Sequence, residues 1–383
     1  MTNELEPQRT SLNPDEIHSH ISEWMREKVE EKSLVISEFD RPTGSGMSSE
    51  TLLFEANWGK GDKKIEKHLV ARLAPTSQDI PVFPEYDLSL QVNVMKLVET
   101  YTQIPVPKVL WTEESTDILG VPFFVMERVQ GLVPPDIPPY VFGGWLLDAN
   151  EDNQSQLQRS CVGIIAQLYQ MSQNSFNRDF LQFTSPGQTA LERHFSNQKE
   201  YYQWVVNNNR QHPVIEHAFE WLETNWPEES EPVISWGDSR IGNVMFNNET
   251  YEPVAVLDWE MAGLAPAEVD LGWMIFMHTF FQVIAEAMEF PGMPNFMKSD
   301  DVTSTFTELT GKSPISIEWF EVYAATRHAI IMSRINDRSV HFGESEWTED
   351  VDAAIPHRDY LWSKIRKTID RKLTTPTLKL ISH

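Results

Sequence analysis

The stretch Val233-Ile-Ser-Trp-Gly-Asp-Ser-Arg-Ile-Gly-Asn-Val-Met-Phe246, followed by Val254-Ala-Val-Leu-Asp-Trp-Glu260, constrains this chain more than any other. A short apolar run delivers the pair Gly237-Asp238. Five residues after Asp238 stands Asn243, then a second apolar run, a turn at Asn247-Asn248-Glu249, and a third run that ends in Asp258. The pattern predicts strand, loop, strand, turn, strand, with three polar groups at the ends of short buried strands. Turn capping accounts for any one of them, because Asp and Asn favour hairpin loops. Three in this order fit phosphoryl transfer from a metal–nucleotide better, which needs one carboxylate beside the attacking hydroxyl and an amide plus a second carboxylate on Mg²⁺.

Protein kinases place a catalytic-loop Asp five positions before a metal-binding Asn, with a further metal Asp on the next hairpin. Asp238, Asn243 and Asp258 repeat that order. The wording Gly-Asp-Ser-Arg-Ile-Gly-Asn-Val, with Val-Leu-Asp-Trp-Glu and then Asp270-Leu271, resembles the aminoglycoside phosphotransferase-like family of small-molecule kinases. The resemblance runs from about Leu34 to Ile335 and is sharpest between Val233 and Gly272. Where that family usually opens the motif with His, this chain has Trp236.

The resemblance implies an α+β, two-lobed, protein-kinase-like fold. Residues 1–128 would form an N-terminal nucleotide-covering lobe of antiparallel sheet and a helix, with 1–33 as arm and helix. Residues 129–383 would form a mainly helical lobe carrying a catalytic hairpin and the acceptor site. It further implies an ATP- or GTP-dependent, Mg²⁺-dependent enzyme that phosphorylates a hydroxyl of a small molecule, aminoglycoside-like, amino-alcohol or sugar. In that scheme Asp238 orients the hydroxyl and takes its proton, Asn243 and Asp258 hold the metal, and Arg240 neutralises charge near the transferred group. Asp270 supports the catalytic loop through backbone hydrogen bonds; a first-turn carboxylate favoured by the helix dipole is the competing reading.

Upstream, a strand over Leu34–Phe39 leads to Arg41-Pro-Thr-Gly-Ser-Gly-Met-Ser-Ser49 and a strand over Glu50–Ala56. Gly44, Ser45, Gly46 and Ser48 in this turn are candidates to close over phosphates, because glycine lets backbone amides approach closely. The strand His68–Leu73 carries Arg72 where a kinase has its phosphate-binding Lys; an Arg grips phosphate oxygens as a fork. A helix over Asp87–Tyr101 places Gln91 where kinases have a Glu that orients the basic residue, with Asp87 one turn earlier as a substitute. The segment Gly120-Val-Pro-Phe-Phe-Val-Met-Glu-Arg-Val-Gln-Gly131 is similar to the family's lobe connection, so backbone groups around Met126, Glu127 and Arg128 would bind adenine. Glu260, Arg327 and His328 are candidate substrate contacts, the latter two on a helix over Ser316–Arg334.

Other helices are expected over Pro14–Lys32, where Ile17, Ile21, Trp24, Met25 and Val29 repeat at helical spacing, over Ser155–Ser172, about Ala190–Asn207, and Pro213–Asn225. Pro291–Ser299 reads as a loop. Acidic residues outnumber basic ones by 57 to 31, the reverse of a nucleic-acid-binding surface. A net charge of −26 speaks more to solubility than to site chemistry. The single cysteine, Cys161, allows no internal disulfide and fits a reducing compartment. The acidic N-terminus lacks a signal-peptide pattern, and the apolar window Leu271–Ile284 is too short to span a bilayer, so a cytoplasmic protein without membrane contact is expected. Oligomeric state has no signature here. The alternative function is a catalytically silent nucleotide-binding module, which Gln91 favours and the Asp238, Asn243, Asp258 set opposes.

Overall fold

Leu52, Phe54 and Ala56, and on the partner strand Leu69, Ala71 and Leu73, recur every second residue and put one fully buried face on each of two strands, with Leu53 and Val70 adding apolar surface on the other side. These are β2 (Glu50–Trp58) and β3 (Ile65–Leu73), paired antiparallel with Leu52 opposite Ala71 and Phe54 opposite Leu69. In the computed structural model, which describes residues 12–41, 49–208 and 210–374, they sit in a five-stranded antiparallel sheet with β1 (Val35–Ile36), β4 (Val109–Glu113) and β5 (Phe123–Glu127). The strand order is β1-β2-β3-β5-β4. The edge strand is shorter than the expected Leu34–Phe39. Ser37 Oγ accepts the Glu55 N–H at 3.0 Å, a side-chain bond that competes with the ladder.

Helix α1 (Pro14–Lys28) starts at Asn13, whose side chain accepts the Asp15 N–H, with Pro14 in the first turn. Ile17, Ile21, Trp24 and Met25 pack it on the sheet, and the Trp24 indole donates to Glu113 at 2.8 Å. It stops four residues before the expected Lys32; Glu30 beyond its end has φ 54. Helix α2 (Leu88–Tyr101) joins two cores: Leu88 and Val92 face the sheet, whereas Val94, Met95 and Val98 face a larger helical core.

That larger core is built by α3 (Glu151–Met171), α4 (Ala190–Val205), α5 (Pro213–Thr224), α6 (Glu268–Ala287), α7 (Ser299–Thr310), α8 (Ile317–His341) and α9 (Arg358–Thr374). The periodicity did not announce α7 or α9. Val302 and Phe306 are the buried residues of α7, and Leu361 and Ile365 anchor α9, stripes too thin to stand out from a polar background. Gly272 of α6 lies against the α8 backbone, where an added Cβ would meet the Phe320 carbonyl carbon and oxygen at 2.7 Å. Gly272→Ala is therefore expected to force these helices apart and destabilise the fold by about 1–3 kcal/mol in a denaturant titration.

Two short antiparallel pairs sit between the sheet and the helices. β6 (Val233–Ser235) pairs with β9 (Gly263–Ala265), a partner too short to be read from the sequence, and β7 (Val244–Phe246) pairs with β8 (Pro253–Val256). The chain leaving β5 is tied to this hairpin by reciprocal Leu132 and Phe246 backbone bonds of 2.8 Å. Among the described residues no helix is long and apolar enough to cross a membrane.

Candidate active site

Buried β6 carries the chain into Trp236-Gly237-Asp238. Gly237 has φ 88, and a Cβ there would lie 2.0 Å from the Met261 carbonyl oxygen, so only glycine fits the turn. A single helical turn over Ile241–Asn243 then feeds β7. The Leu257 N–H donates to the Asn243 carbonyl at 2.8 Å, and Asp258 follows with φ 59. Asn243 and Asp258 thus sit together at the open end of the hairpin.

Asp238 is held on both oxygens. Oδ1 accepts the Trp273 indole N–H at 2.7 Å; Oδ2 accepts Asn243 Nδ2 at 2.8 Å and Arg240 Nε at 3.1 Å. Burial, then the nearby charge of Asp258, pushes the Asp238 carboxyl up to about 7. A carboxyl poised near neutrality suits general-base work. Arg240 also pairs with Asp136, from the loop after β5, so its charge lies between two carboxylates. Burial lowers its own pKa.

Asp270 of α6 faces the back of this loop. Its Oδ1 accepts the Gly237 N–H at 2.8 Å and the Ser235 hydroxyl at 3.0 Å, its Oδ2 accepts the Trp236 N–H at 2.8 Å, and its carbonyl accepts the Ser239 hydroxyl at 2.7 Å. Trp236, standing in the usual histidine position, donates its indole N–H to the carbonyls of Leu257 and Asp258 at 2.9 and 3.1 Å. That ties the Asp238 loop to the Asp258 loop.

From the sheet, Arg72 reaches over this site. It donates to Thr51 Oγ1 at 3.3 Å on the neighbouring strand and lies 3.8 Å from Asp258 Oδ1. Asp258 Oδ1 is buried without a hydrogen-bond donor among the described residues. Asn243 turns its amide nitrogen to Asp238 at 2.8 Å, so its oxygen points away from that carboxylate. Two hard oxygen donors, one of them an orphaned buried carboxylate oxygen, fit Mg²⁺, which is held by one or two protein groups plus substrate phosphates. Consistent with that sparse set, the described residues contain no cluster of three or more His, Cys, Asp or Glu suited to a metal.

Four expected placements need correction or qualification. Gln91 is buried with its Nε2 lacking an acceptor among the described residues, and Thr51 rather than Gln91 holds the Arg72 guanidinium. Asp87 is not a substitute, because its carboxylate caps α2 by accepting the Leu90 N–H at 2.9 Å. Arg327 is 1% exposed and donates to the Gly237 carbonyl at 3.0 Å, so it lies behind the loop and not on an open acceptor surface. The N–H groups of Glu127 and Arg128 donate to the Lys108 and His68 carbonyls, both at 2.9 Å, which withholds these two donors from adenine. The Glu127 side chain pairs with Lys67.

His328 is buried among Trp273, Phe276, Phe280 and His357, and burial keeps its imidazole neutral. Glu260 is half-buried, and its charge helps raise the hydroxyl pKa values of Tyr86 and Tyr201. Gly44, Ser45, Gly46 and Ser48 lie outside the described residues. Sequence reasoning missed Asp136, Thr51 and Trp273. The first belongs to a Pro-rich loop with no motif, Thr51 is one of several polar residues where its strand begins, and Trp273 is one ring in an apolar run.

Residues 43–290 match the model of the phosphotransferase enzyme family. Acyl-CoA dehydrogenase family member 11 of Homo sapiens is 25% identical over 252 residues, 64% of this chain but 30% of that protein. The chain thus spans less than a third of that curated relative's length. Among solved structures, a provisionally assigned aminoglycoside phosphotransferase from Ralstonia eutropha superposes with TM-score 0.64 at 19% identity, covering 91% of this chain and 98% of that one. A thermostable mutant of aminoglycoside phosphotransferase APH(4)-Ia, in a ternary complex with AMP-PNP and hygromycin B, gives TM-score 0.51 at 14% identity over 91% of this chain and 98% of its own. At these identities the likeness is one of fold, two-lobed and protein-kinase-like.

Proposed function

Since the chain belongs to the phosphotransferase enzyme family, we propose that it transfers the γ-phosphate of ATP or GTP to a hydroxyl of a small molecule. The observation that supports this most is the juxtaposition of Asp238, fixed on both oxygens, with Asn243 and the orphaned oxygen of Asp258. The candidate acceptors are aminoglycoside-like compounds, amino-alcohols and sugars, with ligands such as the hygromycin B bound to APH(4)-Ia as a starting point.

Asp238 orients the acceptor hydroxyl and takes its proton as the oxygen attacks the γ-phosphorus and the bond to the leaving diphosphate oxygen breaks. When bound between Asn243 and Asp258, Mg²⁺ supplies charge that offsets the phosphate oxygens. Arg72 adds a fixed cation from the sheet side. Arg240, shared between Asp136 and Asp238, keeps the carboxylate pair beside the acceptor from repelling an anionic transition state. Glu260 is proposed to border the acceptor, whereas His328 lies in the aromatic cluster behind it. Positioning and charge stabilisation account for most of the rate, because the transition state is loose and asks little covalent chemistry of the protein.

The test is release of ADP from Mg²⁺-ATP with a panel of hydroxylated acceptors, coupled to mass detection of the phosphorylated product. A product 80 Da heavier than one acceptor, about the mass of one added PO₃H group expected of phosphoryl transfer, supports the reading. Nucleotide binding without transfer to any acceptor would favour the second reading, a silent nucleotide-binding module, which the missing Gln91–Arg72 bond supports.

A further inference from the structure

The indole of Trp273 and the guanidinium of Arg327 lie directly beneath Asp238 without being needed to hold metal or nucleotide. Trp273, the sixth residue of α6, is 2% exposed and donates its N–H to Asp238 Oδ1 at 2.7 Å. The Arg327 guanidinium carbon from α8 stands 4.5 Å from the Trp273 ring centre, within cation–π range. Its Nη2 donates to the Gly237 carbonyl at 3.0 Å. Its Nε and Nη1 are buried without acceptors among the described residues. A cation buried with two donors unmet is costly. Its placement against the ring that touches Asp238, and against the carbonyl one residue before it, argues for a function other than filling the core.

We infer that Trp273 and Arg327 form a positioning pair that aims Asp238 and selects which of its oxygens receives the acceptor's proton. This rests on the phosphotransfer reading above. A carboxylate oxygen offers two lone pairs. Oδ2 has both engaged, by Asn243 at 2.8 Å and Arg240 at 3.1 Å, whereas Oδ1 has one engaged, by Trp273. The open lone pair is on Oδ1, and the indole fixes where it points. The acceptor O–H therefore gives its proton to Oδ1 as its oxygen bonds to the γ-phosphorus and the bond to the diphosphate oxygen breaks. Arg327 keeps the indole plane in place through its face, and a cation on that face strengthens the N–H as a donor. Helix α8, which has no residue among the proposed metal ligands, thereby acts on the chemistry through Trp273.

The experiment joins two readouts on the full chain. In ¹⁵N-labelled protein the Trp273 indole N–H resonance, identified by its disappearance in Trp273→Phe, is expected downfield of the others. It should move upfield in Asp238→Ala, where its acceptor is gone, and in Arg327→Met. An indole resonance indifferent to Asp238→Ala would overturn the proposal. In kinetics, Trp273→Phe and Arg327→Met should each lower kcat ~10–100-fold, a share of what a general base supplies, with KM for ATP nearly unchanged. Arg327→Lys should recover part of the loss, since it restores the charge without the planar stack. A kcat unaltered in Trp273→Phe, or a loss carried by KM for ATP, would contradict the positioning role. Wild-type protein that turns over no nucleotide with any acceptor would count against the phosphotransfer reading alone, and the resonance would still decide whether Trp273 holds Asp238.

Discussion

Asp238→Asn should reduce turnover by ~10²–10⁴-fold, the range a general base contributes, while leaving the nucleotide dissociation constant nearly unchanged. The amide keeps the size of the carboxyl but cannot take a proton, and its NH₂ group must face either the Trp273 indole N–H or the Asn243 and Arg240 donors, so local hydrogen bonding changes as well. Asn243, Asp258 and Arg72, which are proposed to hold metal and phosphates, keep their places. In the wild-type protein without nucleotide, stability should fall as pH rises toward neutrality, a dependence that Asp238→Asn removes. Burial raises the folded carboxyl from the ordinary aspartate range to about 7. Between pH 4 and 7, roughly, the folded chain holds a proton that the unfolded chain has released, so stability falls as pH rises through that window. Above it the pH dependence ends, and the amide, which does not titrate, should show none across the window. Equal turnover in the variant, or a parallel loss of nucleotide affinity, would sink the assignment of Asp238 as base.

Asp270→Ala should have the largest effect on stability. One side chain accepts the N–H groups of Trp236 and Gly237 and the hydroxyl of Ser235, all buried. Removing it orphans two backbone donors at about 1–3 kcal/mol each, so a loss of about 3–5 kcal/mol is expected in chemical denaturation. The loop bearing Asp238 loses its backing at the same time, and activity should fall even under conditions where the variant is folded. A destabilisation below about 1 kcal/mol, typical of an exposed site, would show that the loop is held mainly by Arg327 and the β6–β9 pair.

The meeting of Asp238, Asn243 and Asp258 was legible because local order carries it. A loop of five residues and one tight hairpin bring them together whatever the rest of the chain does. Arg72 was legible for a related reason, since it follows the apolar run Leu69-Val70-Ala71 that reads as a buried strand, and the pairing with β2 fixes which way it points. The partners that tune these groups were not. Asp136 lies 104 residues from Arg240 and Trp273 lies 35 from Asp238, and neither separation leaves a periodic trace. Arg327 shows the limit most plainly. An Arg-His pair on an amphipathic helix reads as a surface that meets substrate, yet the packing of α6 on α8 turns Arg327 inward against Trp273 and Gly237. Gln91 was correctly placed on its helix, but the support of Arg72 had passed to Thr51, a cross-strand contact that register alone reveals.

The most direct test of the central claim is the melting temperature with ATP or GTP, each with and without Mg²⁺, in wild-type protein and in Asp258→Ala. At ~100 times its dissociation constant a nucleotide should add about 2.7 kcal/mol to the folded state, a rise of a few degrees. The account predicts a rise that requires Mg²⁺ in the wild type and disappears in Asp258→Ala. No rise with either nucleotide, or a rise indifferent to both Mg²⁺ and Asp258, would contradict it.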